Sequence, residues 1–202
     1  MKKLFLSVAA AALVLGGLFQ VASADEQKAQ VGTAAPAFSL KGIDGKDYTL
    51  ESLKGKVVVL EWFNPTCPYV IKHHQKNTTM KDTWTKFKDK DVVWLAVATG
   101  KTADEASLKK AAEGWKIEYP ILLDPTGDTG NAYGAKTTPH MYVINKEGVL
   151  VYAGAIDNNK DANTKGDVNY VEQALTSVLA GEPVKTPTSK PYGCSVKYAS
   201  NK

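Results

Sequence analysis

The sequence predicts an α/β domain with a mixed central sheet and helices on both faces, preceded by an N-terminal hairpin and followed by a C-terminal tail. Three observations carry this. Short apolar runs alternate with helical patterns from Val57 onward. The strongest run, Val57 to Leu60, lacks polar alternation, as a central strand buried on both faces requires. The alternation then closes on a hairpin and a helix, which adds antiparallel strands to a parallel centre.

The elements follow in order. Asp25 to Ala35 is a polar, small-residue arm, and Phe38 to Leu40 and Tyr48 to Leu50 flank Gly42-Ile43-Asp44-Gly45, a hairpin turn rich in Gly and Asp. After the Val57 run, a helical pattern opens at Cys67 with Val70, Ile71, Trp84 and Phe87 as its apolar positions. Asn77-Thr78-Thr79 predicts a break in it. Val92 to Ala98 is a second buried strand, and Asp104 to Trp115 a helix opened by Thr102-Ala103-Asp104-Glu105. Ile121 to Leu123 is a short strand, and Asp128 to Tyr133 one or two helical turns stopped by Gly134. Pro139 to Ile144 and Val149 to Ala153 pair across Asn145-Lys146-Glu147-Gly148. Asp167 to Leu179 is the last helix, with Gly181 just past its end. Pro183, Thr186, Pro187, Thr188 and Ser189 mark residues 183–202 as an extended tail.

The chain has 202 residues, 44% hydrophobic and 23% charged, which suits one domain with extra segments. Lys2-Lys3, the apolar run Leu4 to Leu18 and Ala22-Ser23-Ala24 form the three parts of a secretory signal peptide over residues 1–24, cleaved after Ala24. The run breaks at Gln20, short of the roughly 20 apolar residues a spanning helix needs, so no stable membrane anchor is expected after cleavage. The expected location is the periplasm or the exterior, where disulfides persist. A formal charge of +4, reduced further when Lys2 and Lys3 leave, is too small to argue for nucleic acid. All 25 basic residues are lysines; there is no arginine.

Cys67 and Cys194 are the two cysteines. Cys67 opens a helix behind Asn64-Pro65-Thr66, and a helix N-terminus favours thiolate over thiol. Pro68 is tolerated there because its missing N–H would be unpaired anyway. The alternative is a structural disulfide between the two cysteines, common in secreted chains.

This element order, with a thiol after the first central strand and Thr138-Pro139 before the hairpin, resembles the thioredoxin fold. Trp62 to Val70 looks like the aromatic-rich segment that ends in Cys-X-X-Cys, and Thr138-Pro139 matches the cis-proline that packs against the active-site cysteine. Gly32 to Leu40 and Gly45 to Leu53 resemble the start of the redoxin (AhpC/TSA, peroxiredoxin-like) branch, and Thr137 to His140 with a Gly-Cys tail is similar to secreted single-cysteine members. The likeness covers roughly residues 31 to 182. It implies thiol-disulfide exchange on protein or small-molecule thiols and disulfides, with Cys67 as nucleophile, Cys194 as resolving thiol, and Pro139 and His140 beside Cys67. The chain also departs from the pattern. Val70 stands at the second cysteine of Cys-X-X-Cys. Leu60 and Asn64 stand where a peroxiredoxin has Pro and Thr or Ser, and no arginine is available to polarise a peroxide.

From Ala180, the segment to Cys194 can span roughly 45 Å when extended, so it can reach Cys67. Lys72, His73 and His74 are read as water-facing charges on the first turns of the helix. A copper or zinc role would need two close cysteines, and adjacent His73 and His74 diverge on a helix, so neither metal nor cofactor is expected. Trp62, Trp84, Trp94 and Trp115 are assigned to the core, and Asp124 and Asp157 to Asp161 to loops without calcium spacing. Two rival readings stay open: a peroxide-reducing antioxidant in which oxidised Cys67 condenses with Cys194, and a non-catalytic binding module stapled by these cysteines.

Overall fold

The structure is a computed structural model that describes residues 28–198. The expected leader, residues 1–24, lies outside the described residues. A seven-stranded mixed sheet forms the centre. Its strands are β1 (Ser39–Gly42), β2 (Asp47–Thr49), β3 (Val57–Trp62), β4 (Val92–Thr99), β5 (Ile121–Asp124), β7 (Met141–Ile144) and β8 (Leu150–Gly154). They run in the order β2-β1-β5-β4-β3-β7-β8. β3, β4 and β5 are mutually parallel, and β1, β2, β7 and β8 add antiparallel edges.

The apolar run that predicts β3 explains its place, because all six residues are buried. Side chains alternate between two cores. Val57 and Val59 face one core, closed by α2 (Thr79–Phe87), α3 (Glu105–Trp115) and α5 (Tyr170–Leu179). Val58, Leu60 and Trp62 face the other, closed by α4 (Asp128–Tyr133) and the arm around Ala35 and Phe38. Among the described residues no helix is long and apolar enough to cross a membrane.

The helix after Cys67 is broken as its sequence predicts. α1 (Pro68–Ile71) passes into a π-helical stretch, Lys72–Lys76, and α2 restarts after Thr78, whose φ of 52° is left-handed. α5 begins at Tyr170 rather than at Asp167, because extended Asn169 takes the cap position and its side chain accepts from the Glu172 N–H at 3.0 Å.

Residues 183–198 are docked along the domain. The Ser189 N–H donates to the Ala153 carbonyl of β8, and the Ala153 N–H donates to the Pro187 carbonyl. Farther on, β9 (Cys194–Ser195) pairs antiparallel with β6 (Thr137–Thr138), and the Tyr198 hydroxyl donates to the Ala135 carbonyl at 2.7 Å.

Candidate active site

Cys67 is set by the corner that ends β3. The Asn64 side chain accepts from the Thr66 N–H at 3.0 Å and from its hydroxyl at 2.9 Å, and the Cys67 N–H donates to the Asn64 carbonyl at 3.0 Å. Asn64 is therefore committed to the turn. Cys67 has extended backbone at the N-cap of α1, with Pro68 in the first turn. Its thiol donates to the Thr138 carbonyl at 2.9 Å, and the Thr138-Pro139 peptide bond is cis.

The tail brings the second sulfur to the same place. Register pairs Thr138 with Cys194, so Cys194 lies across from the residue whose carbonyl holds Cys67. Gly193 makes the crossing possible. Its φ is 135°, and a Cβ there would sit 2.8 Å from the Thr138 carbonyl carbon and nearer still to its oxygen. Both thiols are free, and Cys194 acts on Cys67 as a donor that favours its thiolate.

The two sulfurs are electrostatically unequal. Burial by itself raises the Cys67 pKa, but hydrogen bonding from the Thr138 side chain, from the Cys194 thiol and backbone, and from the Val70 backbone outweighs it and leaves the pKa below the ordinary thiol value. Burial pushes Cys194 up to about 11, aided by its hydrogen bond to Cys67 and that sulfur's charge. Cys67 is thus the better thiolate of the pair. Exposure runs the other way: Cys67 is 1% exposed, whereas Cys194 is only partly buried.

His140 is not brought to this thiol. Met141 shares the core that holds Cys67, so alternation turns His140 and Tyr142 to the opposite face of the sheet. There His140 Nδ1 lies 2.9 Å from the hydroxyl of Tyr142, which donates to the Tyr133 carbonyl, and 3.3 Å from the Lys136 backbone nitrogen, and the His140 and Tyr142 rings lie 4.5 Å apart. Burial, with Lys136 nearby, lowers its pKa to about 4, so the ring is neutral near pH 7. The expectation of an imidazolium beside Cys67 is corrected by strand alternation.

The reading of Lys72, His73 and His74 as water-facing is also corrected, since all three are buried. His74 packs against Phe63 and Trp115, and its Nε2 lies 2.7 Å from a Glu61 carboxylate oxygen. The other Glu61 oxygen accepts from Trp94 at 3.1 Å and from Tyr119 at 3.1 Å. Lys72 and His73 are covered by the loop after Ile156 and by the tail, through Asn159, Asp157 and Tyr192. Three consecutive buried residues cannot arise from one helix face; segments distant in sequence close over the second side. Glu61 had a readable signal, a carboxylate directly after the apolar run Val57 to Leu60. Tyr192 had none, since nothing local marks a tail tyrosine as buried. Among the described residues no group of three or more His, Cys, Asp or Glu is placed to hold a metal ion.

The profile of the AhpC/TSA family matches residues 31–153, more than half of the chain. This chain belongs to the AhpC/TSA family. It is similar to a Bacillus thuringiensis protein named thiol-disulfide oxidoreductase ResA, 28% identical over 144 residues that cover 69% of this chain and 80% of that one. In structure it is similar to an uncharacterized conserved protein from Geobacillus kaustophilus. That match has a TM-score of 0.76 and 27% identity, covering 86% of this chain and 94% of the other. A putative thiol:disulfide interchange protein DsbE from Chlorobium tepidum shares the fold, with TM-score 0.59, 24% identity, and coverage of 75% and 99%. Val70 is buried beneath the cysteine, Asn64 is spent on the corner, and the second thiol arrives beyond residue 153, where the family match ends.

Proposed function

We propose that this protein is an extracytoplasmic thiol-disulfide oxidoreductase whose redox couple is Cys67 and Cys194. The observation that carries the reading is the pair itself. Register sets Cys194 against Thr138, whose carbonyl accepts from the Cys67 thiol, so a thiol of lowered pKa and one of raised pKa meet at the Thr138-Pro139 segment. The name of the Bacillus thuringiensis relative supports the reaction class, and the leader pattern Lys2 to Ala24 supports the location.

The chemistry follows from the inequality of the two sulfurs. In the oxidised protein an outside thiolate attacks the more accessible Cys194 sulfur. The new bond joins the outside sulfur to Cys194 as the Cys67–Cys194 bond breaks, and Cys67 departs as a thiolate. Its lowered pKa makes it the better leaving group. A second outside thiolate attacks the outside sulfur of the mixed disulfide and releases Cys194, which takes up a proton. Two outside thiols become one disulfide, and the protein gains the two electrons.

In the opposite direction Cys67 attacks a disulfide and releases one thiolate, and Cys194 then attacks Cys67 and releases the other. Because Cys67 is 1% exposed beneath the tail, this direction requires the tail to lift.

Redox titration against glutathione, with peptide mapping, tests the proposal. A reversible Cys67–Cys194 disulfide is expected, together with a mixed disulfide trapped on Cys194 when the oxidised protein meets limiting thiol. Absence of that disulfide under mild oxidation would overturn the reading. Fast turnover of hydrogen peroxide with a thiol donor would replace it with the antioxidant reading, and inertness to both would leave the structural module.

A further inference from the structure

Lys72 and His73, Asp157 and Tyr192 come from three places in the chain and meet in a buried polar cluster, yet none is a hydrogen-bond partner of either sulfur. Lys72 Nζ, fully buried, donates to the Asn159 carbonyl at 2.6 Å and to the Tyr192 hydroxyl at 3.1 Å, and lies 3.6 Å from Asp157 Oδ1. The Tyr192 hydroxyl in turn donates to Asp157 Oδ1, and His73 Nε2 lies 2.8 Å from the same hydroxyl. A phenol has one proton, and here it goes to the carboxylate. His73 must therefore donate through Nε2–H, so the imidazole and the ammonium both point hydrogens at the phenol oxygen. Proton count and geometry agree, because burial holds the His73 pKa down at about 4 and Nδ1 has no partner.

Burying an ammonium and a carboxylate is costly unless each is well bonded. Asp157 is anchored separately by the Asn159 and Gly166 N–H groups. The hydroxyl is the one element of the cluster that comes from the tail. Tyr192 stands two residues before Cys194, and between Ser189 and Cys194 the hydrogen bonds that tie the chain to the domain run through its hydroxyl. β9 itself is two residues long, and the bonds of Val196, Lys197 and Tyr198 to the domain all lie beyond it, so on the N-terminal side of Cys194 the nearest anchor is the Tyr192 hydroxyl.

The geometry points to Tyr192 as the positioning residue of the thiol pair: its hydroxyl, gripped by Lys72, His73 and Asp157, holds Cys194 on Cys67 and sets the effective concentration of one thiol at the other. This rests on the reading of Cys67 and Cys194 as a redox couple. In the oxidised protein the disulfide keeps the tail docked. In the reduced protein only noncovalent contacts do so. Loosening the grip therefore favours the reduced form and weakens disulfide closure.

Tyr192→Phe tests this, because it keeps the ring beside Tyr69, 5.8 Å away, and deletes only the oxygen. Wild type and variant are equilibrated with reduced and oxidised glutathione, and the Cys67–Cys194 disulfide is counted by mass spectrometry. The equilibrium constant for disulfide formation should fall about ten-fold or more in the variant, the scale of a lost hydrogen bond to charged groups. Iodoacetamide should also label reduced Cys67 faster. Tyr133→Phe removes another buried hydroxyl, bonded to the Pro36 carbonyl at 2.7 Å on the opposite face, and should leave the equilibrium unchanged. A Tyr192→Phe equilibrium within about two-fold of wild type, or an equal fall in Tyr133→Phe, would overturn the positioning role alone. A wild-type protein that forms no such disulfide at any glutathione ratio would overturn the redox couple and this inference together.

Discussion

Replacing Gly193 by alanine should uncouple the two thiols while leaving the domain folded. At this position φ is 135°, where an L side chain is strained, and the added Cβ would meet the Thr138 carbonyl carbon at 2.8 Å. Both sides of the collision are backbone, so no rotamer change relieves it, and the tail must move by roughly 1 Å to restore ordinary contact. Backbone strain of this kind costs about 1 to 3 kcal/mol. At 1.36 kcal/mol per factor of ten, the docked population relative to the lifted one falls roughly 5- to 150-fold. The disulfide equilibrium with glutathione should fall with it. Cys194 gives an independent reading, because burial and the neighbouring Cys67 both hold its pKa up at about 11. Lifting the tail removes both, so the Cys194 titration should move down toward an ordinary thiol. Thiolate ultraviolet absorbance of a Cys67→Ser background, with and without Gly193→Ala, isolates the effect of burial on Cys194. An unchanged glutathione equilibrium together with an unmoved Cys194 titration would refute the placement of the tail over Thr138.

Stability should decline on mild acidification. His73 and His140 are held neutral by burial, each lowered from 6.5 to about 4. The unfolded chain therefore binds more protons between those values. The stability involved is fully present above about pH 6.5 and is lost as pH falls toward 4, on the order of 3 kcal/mol for a mostly buried group shifted this far. Urea midpoints that stay level from pH 7 to about pH 4.5 would contradict it. His140→Gln should leave the Cys67 titration where it is in the wild type, because the ring lies across the sheet; a clear rise in the thiol pKa would restore His140 to the site. Hydrogen peroxide should oxidise Cys67 little faster than an ordinary thiolate of equal pKa, since the chain has no arginine and Asn64 is committed to its turn. Stopped-flow rates orders of magnitude higher would contradict that.

The sequence made most of the fold legible because local signals and tertiary environment agree. Val57 to Leu60 reads as a buried strand and is one. Thr78 in a left-handed conformation breaks the helix where Asn77-Thr78-Thr79 predicts, and Asp104 caps α3 by accepting from the Ser107 N–H at 3.0 Å. Cys67 at the head of α1 belongs to the same class, whereas the cis Thr138-Pro139 bond was expected through the resemblance to the thioredoxin fold. What escaped was set at long range. Lys72 and His73 are polar by every local measure and become buried only because residues more than eighty positions away fold over them. His140 failed for a different reason. Adjacency to Pro139 fixes its place along the chain, but the two-residue period of the strand decides which face it takes, and the hydrogen bonds of Tyr142 and Lys136 hold it there.

The same distinction bears on how the thiol couple works. A resolving cysteine inside the α1 turn would have its distance to Cys67 fixed by helix geometry, with little freedom to separate. Val70 fills that place here and is wholly buried, so the second thiol depends on a docked tail. Its encounter with Cys67 is then an equilibrium set by Gly193, Tyr192 and the short β6–β9 pair. Any change that shifts docking alters thiol reactivity without touching either sulfur. Because Cys67 is covered when the tail is down and uncovered when it is up, docking also decides which sulfur an outside molecule can reach. On the proposed redox couple, the tail therefore couples access to redox state: a Cys67–Cys194 disulfide needs the docked tail to form and would then keep it docked.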